Sequence, residues 1–294
     1  MSKTFSPDGD GYEDILALNY KNEKNGYTAN GYVFDLAGTY IHQPVNMEIL
    51  GIDIGGSGIK AAIVDIIKGE FTTDRVRIPT PKPAKPEKIS KVITKIVDSF
   101  NWQGPIGISF PTVIKNGKAM HYGNLDKSWK GTQIDMLFEA QTNNKYYVVN
   151  DADAAAMAVM KYGTGQGRKG LVIVVTIGTG IGSGVFFNGD LLQNFELGRI
   201  YGRKGDIMES FASDAARKRN GYNFKEWAKR FNFFLKHVEE TMHPEVFIIG
   251  GGISKKIDRF KEYLDIETPV IPAELKNDAG IIGAAYFAYG HINS

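Results

Sequence analysis

The chain has 294 residues, of which 43% are hydrophobic and 23% charged, as expected of a folded protein of one or two domains with a sizeable core. A net charge of +2 demands no nucleic-acid partner, and the lack of cysteine excludes disulfides, cysteine–zinc sites and a thiol nucleophile. No apolar run reaches the length of a membrane span, and residues 1–8 lack the apolar core of a signal peptide, so the expected location is cytoplasmic, with no membrane partner.

Residues 1–46 differ in character from the rest. An acidic turn at 6–14 precedes strand-like stretches at 15–20 and 31–36. Asp8, Asp10 and Asp14 suit either a solvated turn or a calcium site, although Gly11 and Tyr12 break the standard calcium-loop order. Met47 reads as a natural start, leaving 1–46 as a β-rich extension.

From Met47 onward, strands and helices alternate. Strands at 49–54 and 61–65 flank the turn Gly55-Gly56-Ser57-Gly58, which closes as a hairpin. A proline-rich connector at 80–86 leads to a helix over 89–100, with Ile89, Val92, Ile93, Ile96 and Val97 on one face. Short strands at 105–110 and 146–149 follow. The second ends at Asn150-Asp151, and a helix runs over 152–162. Residues 163–167 read as a glycine-rich hinge. Strands at 171–176 and 184–187 flank a second turn containing Gly178, Thr179, Gly180 and Gly182, a weak internal repeat of the first. Helices are predicted over 224–240 and 279–289, and a third strand–glycine turn spans 247–254. This organisation divides a small α/β domain (47–162, with the C-terminal helix 279–294 packing back) from a larger α/β domain (163–278).

Glycine lets backbone turn tightly and approach a ligand, so several N–H groups can converge on one phosphate. Three such turns, the first flanked by Asp53 and Lys60, point to phosphoryl transfer. Transfer to an alcohol needs a carboxylate to accept the hydroxyl proton. Asp151 is the candidate; its other reading is a helix N-cap, and the two roles are compatible. Asp153 reads as support for the first helical turn. Glu196, Arg199 and Glu209 suit either sugar-hydroxyl recognition or a surface ion pair. The loop 123–130, with Asn124, Lys127, Trp129 and Lys130, suits either a sugar or phosphate channel or a solvated loop anchored by its tryptophan. Arg203-Lys204 and Arg217-Lys218-Arg219 are basic clusters of the kind usually found on solvated faces. The five histidines show no metal-ligand spacing.

Taken together, Asp53-Ile54-Gly55-Gly56-Ser57-Gly58-Ile59-Lys60, Asn150-Asp151-Ala152-Asp153, Gly178-Thr179-Gly180-Ile181-Gly182 and Glu196-Leu197-Gly198 resemble the repressor/kinase (ROK) family of sugar kinases over about residues 47–291. Within it, Gly123-Asn124-Leu125-Asp126-Lys127-Ser128-Trp129 looks like the polyphosphate glucokinase branch. Residues 1–46 resemble a fragment of an immunoglobulin-like bacterial tail module. The main resemblance implies an α/β actin-like (ribonuclease H-like) ATPase fold, two domains around a cleft, and a homodimer. It also implies Mg2+-dependent phosphorylation of the 6-hydroxyl of glucose from polyphosphate, ATP or both. An ATP-dependent kinase of another hexose or amino sugar, and a non-catalytic sugar-binding regulator, are the alternatives.

Residue by residue, the resemblance implies Asp151 as base, with Asn150, Glu196, Arg199, Glu209 and Asn124 on the sugar. Asp53, Gly55, Gly56, Ser57 and Lys60 match the first phosphate motif, with Asp53 near the metal; Gly178, Thr179, Gly180 and Gly182 match the second. Gly251 and Gly252 match the loop near a nucleotide base, and Lys127 and Lys130 are the candidates for holding polyphosphate. Two departures stand out. Arg199 occupies the place where the family usually has histidine, and the cysteine-rich zinc motif of many members is missing, as it is in the polyphosphate branch.

Overall fold

Two sheets of the same plan carry the chain, and an alanine-rich helix is wedged between them. The computed structural model describes residues 47–202, 205–274 and 278–292, together with the backbone of four short leader strands. These pair antiparallel, β1 (Tyr20–Asn22) with β2 (Tyr27–Ala29) and β3 (Val33–Phe34) with β4 (Tyr40–His42). The acidic turn with Asp8, Asp10 and Asp14 lies outside the described residues, as do Arg203 and Lys204.

The first sheet begins with β5 (Glu48–Ile54) and β6 (Gly58–Asp65), the predicted hairpin. β7 (Glu70–Phe71) and β8 (Val76–Pro79) both pair antiparallel with β6. After α1 (Pro86–Ser99), β9 (Ile106–Phe110) returns parallel to β5. A small hairpin, β10 (Ile114–Lys115) and β11 (Lys118–Ala119), leads to α2 (Ile134–Thr142). β12 (Tyr146–Asn150) then joins parallel to β9 and runs directly into α3 (Asp151–Tyr162). β9 is buried along its whole length, as a continuous apolar run in a sheet covered on both faces should be.

The second sheet repeats this order. β13 (Leu171–Ile177) and β14 (Ile181–Phe187) form the second predicted hairpin, and β15 (Asp190–Leu192) extends it. α4 (Met208–Ala212), α5 (Asp214–Arg219) and α6 (Phe224–Met242) follow. β16 (Val246–Gly250) pairs parallel to β13, and β17 (Val270–Pro272) to β16. The repeat visible in the sequence as two glycine turns therefore extends to a whole five-strand unit, the duplicated plan of the actin-like ATPase fold.

Helix boundaries follow local chemistry. α1 starts before its apolar stripe because Pro86 suits the first helical turn. α6 is entered through a capping box in which Asn223 accepts from the Glu226 N–H and Glu226 returns the bond to the Asn223 N–H, both at 2.9 Å. Its stripe of Trp227, Phe231, Phe234, Leu235 and Val238 builds the core against the second sheet. In the first core, fully buried Trp129 donates its indole N–H to Ala84 O at 2.7 Å, which anchors the 123–130 loop.

α7 (Ala279–Ile292) crosses the first sheet and packs along α3. The approach is so close that only glycine fits. A Cβ at Gly283 would sit 1.7 Å from Ala154 O, and one at Gly107 would sit 1.9 Å from Ala284 O. On its other side α3 meets β14, where a Cβ at Gly184 would lie 2.3 Å from the Ala156 methyl. Gly283→Ala should therefore destabilise the protein by about 1–3 kcal/mol, the usual scale of overpacking. A denaturant midpoint unchanged from wild type would contradict this packing.

Candidate active site

A cleft of about 1080 Å3 opens between the two sheets. Parallel strands place candidate groups at their carboxyl ends. β5 delivers Asp53, β12 delivers Asn150-Asp151, and β13 and β16 deliver the second and third glycine turns. Asn124, Glu196, Arg199 and Glu209 also line the cleft, as do Gly178, Thr179, Gly180, Gly182, Gly251 and Gly252.

Not every predicted residue reaches it. Gly55, Gly56, Ser57 and Lys60 do not line the cleft. The first turn stands at its rim, where a Cβ on Gly56 would meet Asn124 Cβ at 3.3 Å. Lys60 is tied to the cleft through Asp53, its cross-strand partner, at 3.1 Å. Lys127 and Lys130 are exposed and lie outside the lining.

Asn150 caps α3, its side-chain oxygen accepting from the N–H groups of Ala152 and Asp153 at 2.9 and 3.2 Å. Its amide faces Glu196 Oε1 at 3.5 Å. Because Asn150 performs the cap, Asp151 is the first helical residue and its carboxyl is presented to the cleft. Water reaches that carboxyl, yet protein surrounds most of it. This desolvation, then the nearby Asp53 and Glu196 charges, push its pKa up to about 7. Burial likewise raises Glu196, with Glu209 adding to the effect while Arg199 and His121 oppose it. Glu209 is turned toward the second glycine turn, where it accepts from the Ile181 N–H at 3.3 Å.

Asp153 is buried, and the structure gives it more than helical support. One oxygen accepts from the Asn194 N–H at 2.8 Å, and the other has no partner among the described residues. Burial pushes its pKa up to about 7, against the pull of that N–H. The Asn194 side chain then spans to the β10–β11 hairpin, accepting from Ile114 N–H at 3.0 Å and donating to Ile114 O at 2.7 Å. Sequence reasoning missed Asn194, His121 in the lining, and Ser109, which donates to Asp53 Oδ1 at 3.0 Å. Only the strand pairing of Asp53 with Ser109 brings the last pair together.

The ROK family model matches residues 49–196. The chain belongs to the ROK family. Polyphosphate glucokinase of Mycobacterium tuberculosis (strain CDC 1551 / Oshkosh) is 42% identical to this ROK protein over 236 residues, 80% of this chain and 89% of the relative. The structure of an inorganic polyphosphate/ATP-glucomannokinase from Arthrobacter sp. strain KM is 42% identical, with a TM-score of 0.77, covering 84% of this chain and all of that one. A ROK family glucokinase from Streptomyces griseus, solved with glucose and AMPPNP, is 24% identical with a TM-score of 0.70 over 83% of this chain and 99% of that one, and shares the fold. Among the described residues of the ROK protein, no cluster of three or more metal-binding side chains occurs and no helix is long and apolar enough to cross a membrane.

The Asp151 shift has a thermodynamic sign. Between the ordinary carboxylate pKa and about 7 the native state binds more protons at this position than the unfolded chain, so its contribution to stability falls as pH rises through that window. Asp151→Asn removes that loss. Thermal midpoints should show the variant gaining on wild type from pH 5 to pH 8; parallel curves would refute the shift.

Proposed function

We infer that this chain is a sugar kinase that transfers a phosphoryl group from polyphosphate or ATP to a sugar, with the 6-hydroxyl of glucose as acceptor. The observation that carries the reading is the convergence of Asp151 with Asn150, Glu196 and the second glycine turn in one cleft of a chain 42% identical to polyphosphate glucokinases.

Asp151 accepts the hydroxyl proton as the sugar oxygen attacks. Its raised pKa suits this task, since a base works best with a pKa near the operating pH. Asn150, Glu196, Glu209 and Asn124 orient the sugar. Arg199 offers donors only and takes the place of a family histidine, so it can bind a sugar oxygen but cannot accept from a hydroxyl. Gly178, Thr179, Gly180 and Gly182 present backbone to the donor phosphates. Gly55, Gly56, Ser57 and Lys60 serve them from the rim, and Gly251 and Gly252 face the nucleotide when ATP is the donor. Exposed Lys127 and Lys130 act at longer range by steering a polyanion.

The donor set fits a magnesium ion carried in with the phosphates, because such ions take one or two carboxylates and keep several waters. Asp53 is the carboxylate that would hold it, fixed by Lys60 and Ser109. When bound, the ion neutralises charge on the transferring phosphate. The lobes in this reading are 47–162 with α7 and 163–278, joined at 163–167, and closure between them excludes water.

Purified protein assayed with magnesium and a panel of sugars should phosphorylate glucose from polyphosphate, with an apparent affinity for polyphosphate that falls as salt rises. Turnover should increase with pH through about 7 as Asp151 loses its proton. Asp151→Asn should lower turnover by about 10²–10⁴-fold while glucose binding persists. A variant keeping more than about a tenth of wild-type turnover would sink the base assignment. A wild type inert toward every sugar and donor would sink the kinase reading.

Arg199→His should leave glucose use equal or improved. A large loss in steady-state assays would make the arginine an adapted part of the sugar site.

A further inference from the structure

The first glycine turn is gripped from behind by β8 and the connector that follows it. Gly55 O accepts from the Thr80 hydroxyl. Gly56 O accepts from Lys82 Nζ at 3.1 Å. Ser57 O accepts from the Arg77 guanidinium at 3.4 Å and from the Thr80 N–H at 3.5 Å. Three consecutive carbonyls of the turn are thus held by one short segment. The guanidinium also lies against Gly58, where a Cβ would sit 2.9 Å from Arg77 Nε.

A trans peptide points its N–H away from its carbonyl. Holding the carbonyls of Gly55 and Gly56 on one side therefore turns the N–H groups of Gly56 and Ser57 to the other. Among the described residues neither of these N–H groups has a hydrogen-bond partner. Free, neighbouring N–H groups on a fixed turn make an anion nest. The cations contribute twice, since a charged donor on a carbonyl also polarises the peptide and strengthens its N–H as a donor. Neither Arg77 nor Lys82 has a carboxylate partner among the described residues, and both donate to carbonyls of the turn. Thr80 is buried and its hydroxyl is committed to Gly55, so it supports the turn without reaching a ligand.

We propose that Arg77, Thr80 and Lys82 are positioning residues that preset the first glycine turn to receive the donor phosphates. The proposal rests on the kinase reading for the identity of the anion. It assigns to 77–82 a role that acts through the backbone of the turn, equally for any donor ending in a phosphate.

The test is titration calorimetry on the full chain with magnesium tripolyphosphate and with magnesium ATP, each at low and high salt, and with glucose alone. Thr80→Val keeps shape and removes the hydroxyl. It should weaken both donors by about tenfold, the weight of one net hydrogen bond, by the same factor at both salt levels. Glucose affinity should stay unchanged, and Thr80→Ser should restore the wild-type values. Lys82→Met, at an exposed position that folding tolerates, should weaken both donors together and serves if Thr80→Val does not fold. Thr80→Val binding both donors like wild type overturns the proposal. So does a loss in Lys82→Met confined to tripolyphosphate with a shallower salt dependence, which would place the lysine on the polyanion itself. A wild type that binds neither donor removes the kinase reading and the clamp with it, whereas a donor-binding wild type matched by its Thr80→Val variant removes the clamp alone.

Discussion

The structure depends on how thin α3 is. Ala152, Ala154 and Ala156 meet β14 on one side and α7 on the other, and glycines complete the seam at Gly182, Gly184 and Gly283. Methyl-sized contacts leave few rotamers to vary, and close-packed interiors transmit even small volume changes. The distance from the start of α3 to the second glycine turn is therefore set by backbone rather than by flexible side chains. Asp151 inherits that accuracy. It stands on the first turn of a helix whose position is defined by both sheets, with Asn150 already occupying the cap. A residue in a surface loop at the same place would have neither the burial nor the orientation.

Around that helix end the charges are unevenly matched. Asp53, Asp151, Glu196 and Glu209 face one cleft, which Arg199 and His121 also line, while Lys60 reaches it only through Asp53. Asp53 is bridged by Lys60 and accepts from Ser109, so its carboxylate is fixed in position. The Asp151 carboxylate accepts from the Ala152 N–H at 2.9 Å and feels its neighbours' repulsion. Burial and neighbouring charges thus raise the proton affinity of the Asp151 carboxyl. The Asp153–Asn194–Ile114 chain of hydrogen bonds adds a mechanical element, joining the helix, the loop before Glu196 and the β10–β11 hairpin.

Much of this was legible in the sequence because it is encoded locally. Glycine turns after apolar runs announced both hairpins, helical spacing located α1, and helices were also expected where α3, α6 and α7 lie. The short α2 escaped because its nine residues offer too few turns for a helical spacing to stand out. What stayed hidden was non-local. Ser109 meets Asp53 through strand register, Asn194 reaches Ile114 across 80 positions, and Thr80 reaches Gly55 across 25. None of these partners carries a mark in the sequence near it. The spacing of Gly55, Gly56, Ser57 and Lys60 suggested a phosphate turn but carried no information on its place at the rim of the cleft.

Asp151 and Asp153, two positions apart on α3, are both carboxyls that the folded protein ionises reluctantly. At alkaline pH each makes the native state less favourable than an uncharged residue of similar shape would. A laboratory lineage selected only for heat resistance under such conditions would therefore drift toward amides at both places. With Asp151 as the proposed base, it would lose turnover while its apolar cores remained untouched. Selection on how firmly the molecule holds together would discard both acids, the proposed base among them.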